Sequence, residues 1–284
     1  MSSTRRLRVS AISYLNTAPL MWDFEHGPAG ADFEVSYTLP SQCAKLLQQG
    51  SADIGIIPAA AYASIPDLAI LPGVAIASRR EVRSILLVSK VPLENIESIA
   101  MDSSSMTSVA LLKVLFAKWW RKGAAQPVFE SANPDLETML DRHDAALLIG
   151  DPALQVDRSR HPTYDLAEEW IRFTGKPFVF AFWAVRQDAM QYVHSAAGLA
   201  SVFQTSRDHG LQSENIERIV KQWAPRISIS EAEVRAYLTE SIHYYLDAEC
   251  IDGMQLFFRY ASECGAIPLA QPLRFLDVEN SVFI

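Results

Sequence analysis

The chain has 284 residues, long for one simple core and short for three, and its 49% apolar and 20% charged content is ordinary globular usage. A chain of this size buries enough surface to stand without disulfides or a structural metal. Its 25 Lys and Arg against 33 Asp and Glu leave a net charge of −8, which argues against nucleic acid or an anionic membrane as partner but not against a small anion in a local pocket. From the N-terminus, the basic start MSSTRRLRV is followed by Ser10, Ser13, Asn16 and Pro19, which interrupt any apolar signal region. No run reaches the ~18 apolar residues of a membrane span. A soluble, cytoplasmic protein is expected.

Residues 6–12 read as a strand entering the turn SYLNTAPL, and 33–37 as a second strand. Pro40 and Ser41 open a helix that stops at Gly50. Short apolar strands follow over 53–57 and 68–77, the texture of a buried, largely parallel sheet. A second round begins at 84–89. It continues with a strand over 99–102, the polar turn DSSSMTS, a helix over 109–120, a strand at 128–129, a helix over 136–142 and a strand over 145–149. Residues 171–185 are aromatic and β-branched, interrupted by Gly175 and Pro177. From 188 to 264 the pattern is mostly helical, with Ser230 as an N-cap, and 273–284 reads as an extended tail. No internal repeat or Gly/Ser linker is apparent. This texture fits one long open sheet, or two α/β lobes joined by strands that pass directly between them. The second reading explains the apolar strands flanking a complete α/β block. It divides the chain into a discontinuous lobe, 1–85 with 182–284, and an inserted lobe, 86–181.

Ligands of such folds sit beyond the carboxyl ends of strands or in the cleft between lobes. Four segments lie there: Ser13, Tyr14, Asn16 and Thr17; Asp102 with Ser103, Ser104, Ser105, Thr107 and Ser108; Gly150 and Asp151; and Thr174 to Phe178. The hydroxyl turn before a helix can bind a carboxylate or phosphate through backbone N–H groups and hydroxyls, or serve as a plain N-cap. One hydroxyl suffices for a cap, and five exceed that need. Asn16 offers an acceptor and two donors, yet Asn is also a common turn residue. Ser84, at a strand start, would ordinarily be a solvent-side filler. None of the six histidines sits at a strand end, and HExxH, GxSxG, GxGxxG and P-loop patterns are absent. Cys43, Cys250 and Cys264 lack metal or disulfide spacing and read as reduced packing residues. The residues alone lead to a two-lobed, metal-free binder of a small anion, with no cofactor.

The strings RVSAISYLNTAPL, DSSSMTS, LLIGDPAL and TGKPFVFAFWA occur in an order and spacing that resembles the chorismate dehydratase family of the futalosine route to menaquinone. The resemblance implies a periplasmic-binding-protein-like type II fold with two crossover strands. It implies conversion of chorismate to 3-[(1-carboxyvinyl)oxy]benzoate with loss of water, the enolpyruvyl carboxylate of the substrate itself taking the proton. Asn16 then becomes the principal polar aid. Ser13, Tyr14, Thr17, Ser84, Ser103, Ser104, Ser105, Thr107, Ser108, Gly150, Asp151, Thr174 and Phe178 become the substrate-binding set, with Asp151 a rival base. A sister dihydroxynaphthoate synthase has a histidine where this chain has Gly150. The alternative of another class is a non-catalytic solute-binding protein for a small carboxylate, which the same fold would serve.

Overall fold

The computed structural model describes residues 5–277. The chain builds two five-stranded sheets. The first contains β1 (Leu7–Ile12), β2 (Phe33–Thr38), β3 (Ile54–Pro58), β4 (Leu68–Ser78) and, much later in sequence, a returning strand. The second contains β5 (Ile85–Ser89), β6 (Ser98–Asp102), β7 (Val128–Ala132), β8 (Ala145–Ile149) and β9 (Thr163–Asp165). The returning strand is β10 (Phe178–Arg186), and the sheet orders are β2-β1-β3-β10-β4 and β7-β6-β8-β5-β9.

Both sheets are mixed, not largely parallel as the apolar texture suggests. In the first, β10 runs against its neighbours β3 and β4; in the second, β5 runs against β8 and β9. The reason is topological. Parallel neighbours need a crossover connection within their own sheet. β5 and β10 are instead the strands that enter from the other sheet. Both sheets repeat one plan, second-first-third-entrant-fourth, which leaves no trace as a sequence repeat. β10 pairs with the first sheet from Phe178 onward, so its first four residues join that sheet rather than the inserted block.

Central strands are buried on both faces: β3, β5 and β8 are wholly buried, as the unbroken runs IGIIP, ILLVS and AALLI require. The helix Thr107–Leu115 buries Ala110, Leu111, Leu112, Val114 and Leu115, and a π turn, Phe116–Trp120, extends it. Two elements escape the sequence reading. The short edge strand β9 leads into a helix, Leu166–Thr174, N-capped by Asp165 and closed by Gly175 in the left-handed conformation at φ +68°. Its aromatic and β-branched residues obscure, in sequence, a helical face carrying Leu166, Ala167 and Trp170. The C-terminal part is helical, with Ala196–Gly210, Ser213–Ile227, Glu231–Ala236 and Ala248–Glu263. Ser230 caps its helix in a reciprocal box with Glu233. The expected tail bridges Ile70 at Phe275, and its part from 278 lies outside the described residues. Among the described residues no helix is long and apolar enough to cross a membrane. Cys43, Cys250 and Cys264 are free thiols.

Candidate functional site

The strand ends of the two sheets face each other across a small cavity of about 50 Å3. Tyr14, Asn16, Ser84, Ser105, Thr107, Ser108 and Gly150 line it, with an apolar remainder that includes Ile12, Ile76, Met106, Ile149 and Phe180. Among the described residues, no charged side chain and none of the six histidines is in the lining.

The turn carrying Asn16 is fixed from behind. Residues Leu15–Met21 form a 3-10 segment gripped by the helix Ala196–Gly210, where the Ser206 hydroxyl donates to the Leu20 carbonyl at 2.8 Å. Gly210 permits this approach, since a Cβ there would lie 1.9 Å from the Pro19 carbonyl oxygen. Thr17, fully buried, donates to the Asn16 side-chain oxygen at 3.4 Å. Thr17 and Ser13 themselves open onto a neighbouring cavity with Trp223 and Arg226, which shares Ile12 and Tyr14 with the first.

Tyr14 bridges the sheets. Its ring packs on Gly150, whose φ is +64° and where a Cβ would fall 2.6 Å from the tyrosine Cε2. Its hydroxyl lies 3.2 Å from the Ser104 Oγ. Ser104 in turn gives its proton to Asp102 Oδ1 at 2.6 Å, so Tyr14 is left as the donor to Ser104. Asp102 also accepts the Ser104 N–H, while its Oδ2 is buried without a partner among the described residues. Burial pushes this carboxyl above its ordinary value.

The hydroxyl turn divides its labour. Thr107 is structural: it donates to the Phe180 carbonyl at 3.0 Å and accepts the Ala60 N–H at 3.1 Å, pinning the inserted helix to the first sheet. Ser103 is exposed and contributes nothing to the cavity. Ser105 and Ser108 remain for a ligand, and the Ser105 Oγ is buried without a partner among the described residues. The helix N-cap is Met106, with no side-chain cap. The plain-cap reading of this turn is thereby corrected: its first N–H groups are left for something other than a serine.

Asp151 does not line the cavity. Its Oδ1 crosses between the sheets to accept the Leu15 N–H at 3.0 Å, and burial raises its carboxyl to about 6. Two expected residues lie elsewhere. Thr174 donates to the Trp170 carbonyl at 2.7 Å at its helix end. Phe178 is core, packed on Trp170, Phe180 and Phe257. Both are expected just before the return strand of a β-like run from 171, but residues up to Thr174 end a helix and the strand starts only at Phe178. One participant had no sequence signal at all: Tyr237, fully buried in the helical C-terminal part, donates to Ser84 Oγ at 2.8 Å.

Two α/β units with these sheet orders, joined by entrant strands, have the periplasmic-binding-protein fold. A solved protein of Archaeoglobus fulgidus superposes with a TM-score of 0.69 at 17% identity, over 94% of this chain and 100% of its own. The periplasmic aliphatic sulphonate binding protein of Escherichia coli does so at 0.65 and 15%, over 97% and 98%. Within that fold the chain belongs to the menaquinone biosynthesis family, whose model matches residues 7–263. It is also 28% identical over 275 residues to a Thermus thermophilus protein named chorismate dehydratase, covering 90% of this chain and 94% of that protein.

Proposed function

We propose that this protein is a chorismate dehydratase, a carbon–oxygen hydro-lyase that forms 3-[(1-carboxyvinyl)oxy]benzoate and water from chorismate. The observation that carries this reading is the end-to-end match to the Thermus thermophilus dehydratase within the same family. The cleft chemistry supports it. Chorismate is a dianion, and uncharged donors at Ser105, Ser108 and the helix start suit one of its carboxylates without Lys or Arg.

Aromatisation removes the proton on the carbon bearing the enolpyruvyl ether and the hydroxyl on the neighbouring carbon. Charge left by the proton delocalises through the ring diene toward the ring carboxylate. Donors fixed around that carboxylate stabilise it more in the transition state than in the ground state. The enolpyruvyl carboxylate takes the proton, Asn16 orients the departing hydroxyl or the enolpyruvyl group, and closure of the cleft over the substrate excludes water. The engagement of Asp151 with the Leu15 N–H, outside the lining, favours this route over Asp151 as base. In this reading the lobes exchange chain at 79–84 and 175–177, and the reaction takes place in the cytoplasm, consistent with three free thiols.

The test is incubation of purified protein with chorismate, following the aromatic product by chromatography and mass. Asn16→Ala lowers kcat by about 10²–10³-fold, the usual cost of a lost transition-state hydrogen bond. Full turnover by that variant removes Asn16 from the mechanism. Binding of chorismate without product favours the second reading, a solute-binding protein, to which the sulphonate-binding neighbours lend the fold.

A further inference from the structure

Three unusual features converge on the Ser84 hydroxyl. Arg83, immediately before it, holds φ +64°, a left-handed conformation that a long side chain rarely adopts and that persists only where the surroundings impose it. The surroundings do impose it. The buried Asp165 carboxylate accepts both the Val82 N–H at 3.0 Å and the Arg83 N–H at 2.6 Å, while also capping the helix Leu166–Thr174. From the other side comes Tyr237, the first residue of a single π turn, Tyr237–Ser241, a deviation frequent at functional sites. Its hydroxyl is fully buried and donates to Ser84 Oγ at 2.8 Å. The Ser84 carbonyl, finally, accepts the Gly150 N–H at 2.8 Å.

This arrangement decides the polarity of Ser84. Its oxygen is occupied as an acceptor from the phenol, so its own proton is the one left to give. Ser84 lines the cavity beside Asn16 and Gly150, and its side chain has no other partner among the described residues. We infer that Tyr237 is a positioning residue that fixes Ser84 as a hydrogen-bond donor to a substrate oxygen, with Asp165 and the left-handed Arg83 setting the backbone from which Ser84 is presented. The inference rests on the dehydratase reading and adds to it a group from the C-terminal helices. No proton is transferred by this pair. It supplies a preoriented dipole where an oxygen gains negative charge during elimination.

The experiment is a double-mutant cycle of Tyr237→Phe and Ser84→Ala with chorismate as substrate. Tyr237→Phe removes only the buried donor, and kcat falls about ten-fold or more while KM stays within about two-fold, the pattern of an interaction made in the transition state. Ser84→Ala falls at least as far, and the double variant falls no further than Ser84→Ala, since the inferred role of Tyr237 runs through Ser84; a further loss in the double variant would instead assign its effect to its interaction with the Asn16 side chain. A kcat unchanged in Tyr237→Phe overturns the inference, as do losses that multiply in the double variant. The cycle is run in parallel with 4-fluorophenylalanine at 237, which fills the hydroxyl's space without donating. A folding defect of the Phe variant then does not decide the result. Wild-type turnover is measured first. No product from the wild-type chain rejects the dehydratase reading itself, whereas wild-type turnover kept by the 237 variants rejects only the positioning role.

Discussion

Single residues carry the cleft through how closely they let neighbours approach. Gly150 is required twice, by its φ of +64° and by the Tyr14 ring that occupies the space of a side chain. Gly150→Ala should lose about 1–2 kcal/mol in urea unfolding from the left-handed backbone alone. It should also lower kcat/KM by more than about ten-fold as Tyr14 is pushed off Ser104. Asp151 gives a pH signature. Burial raises its carboxyl from 3.8 to about 6, and burial raises the Asp165 carboxyl likewise to about 6. A carboxyl whose folded value lies above its unfolded one stabilises the fold fully below the unfolded value, and that contribution is lost as pH rises through the folded value. Asp151 should therefore pull the urea midpoint down between pH 4 and about 6, so the midpoint of Asp151→Asn, whose amide oxygen still accepts the Leu15 N–H, should drop less, or rise more, over that range than that of the wild type. An equal fall in both proteins removes Asp151 as a source. At this scale the sequence points to Asn16, Ser105, Ser108 and Gly150, and these line the cavity, because strand ends and glycines are readable locally. Tyr237 was invisible, since a buried tyrosine in a helical stretch looks like any core aromatic.

Elements are where local chemistry and tertiary context trade places. Ser230 was legible as a cap, and its hydroxyl accepts the Glu233 N–H at 3.2 Å while the Glu233 carboxylate takes the Ser230 N–H at 2.9 Å. Ser230→Ala should cost about 1 kcal/mol, seen as a Tm lower by about 2–4 °C, with kcat/KM within about two-fold. An unchanged Tm would mean the cap is redundant. The hydroxyl turn shows the opposite case. Five hydroxyls looked like one anion site, but Thr107 pins the lobes, Ser104 serves Asp102 and Tyr14, and Ser103 faces solvent. Which hydroxyl is free depends on what the other sheet brings to it, and no local pattern encodes that. The helix Leu166–Thr174 failed for a related reason. Trp170 sits in an aromatic cluster with Phe178 and Phe257, and such packing overrides the strand propensity of its neighbours.

For the whole molecule, the net charge of −8 stands beside a cavity whose lining, among the described residues, carries no charged side chain. A site built on Lys or Arg weakens as salt screens it. Here KM for chorismate should hold constant or fall between 50 and 500 mM sodium chloride, and a KM rising several-fold would reveal a cation at the site. The cleft is held by bonds from one sheet's elements to the other's: Leu15 to Asp151, Tyr14 to Ser104, Ser41 to Ser104, and Thr107 to Ala60 and Phe180. Sequence by itself determined the α/β class, most strand positions, the division into two α/β units and the segments that meet at the cleft. It could do so because burial on both faces, caps and turn residues are properties of neighbours along the chain. Only the tertiary structure decided the reversed entrant strands, the repeated sheet plan, the removal of Thr174 and Phe178 from the site, and the arrival of Tyr237 at Ser84. Those depend on contacts between residues as much as 153 positions apart, whose partners are set by packing and not by spacing.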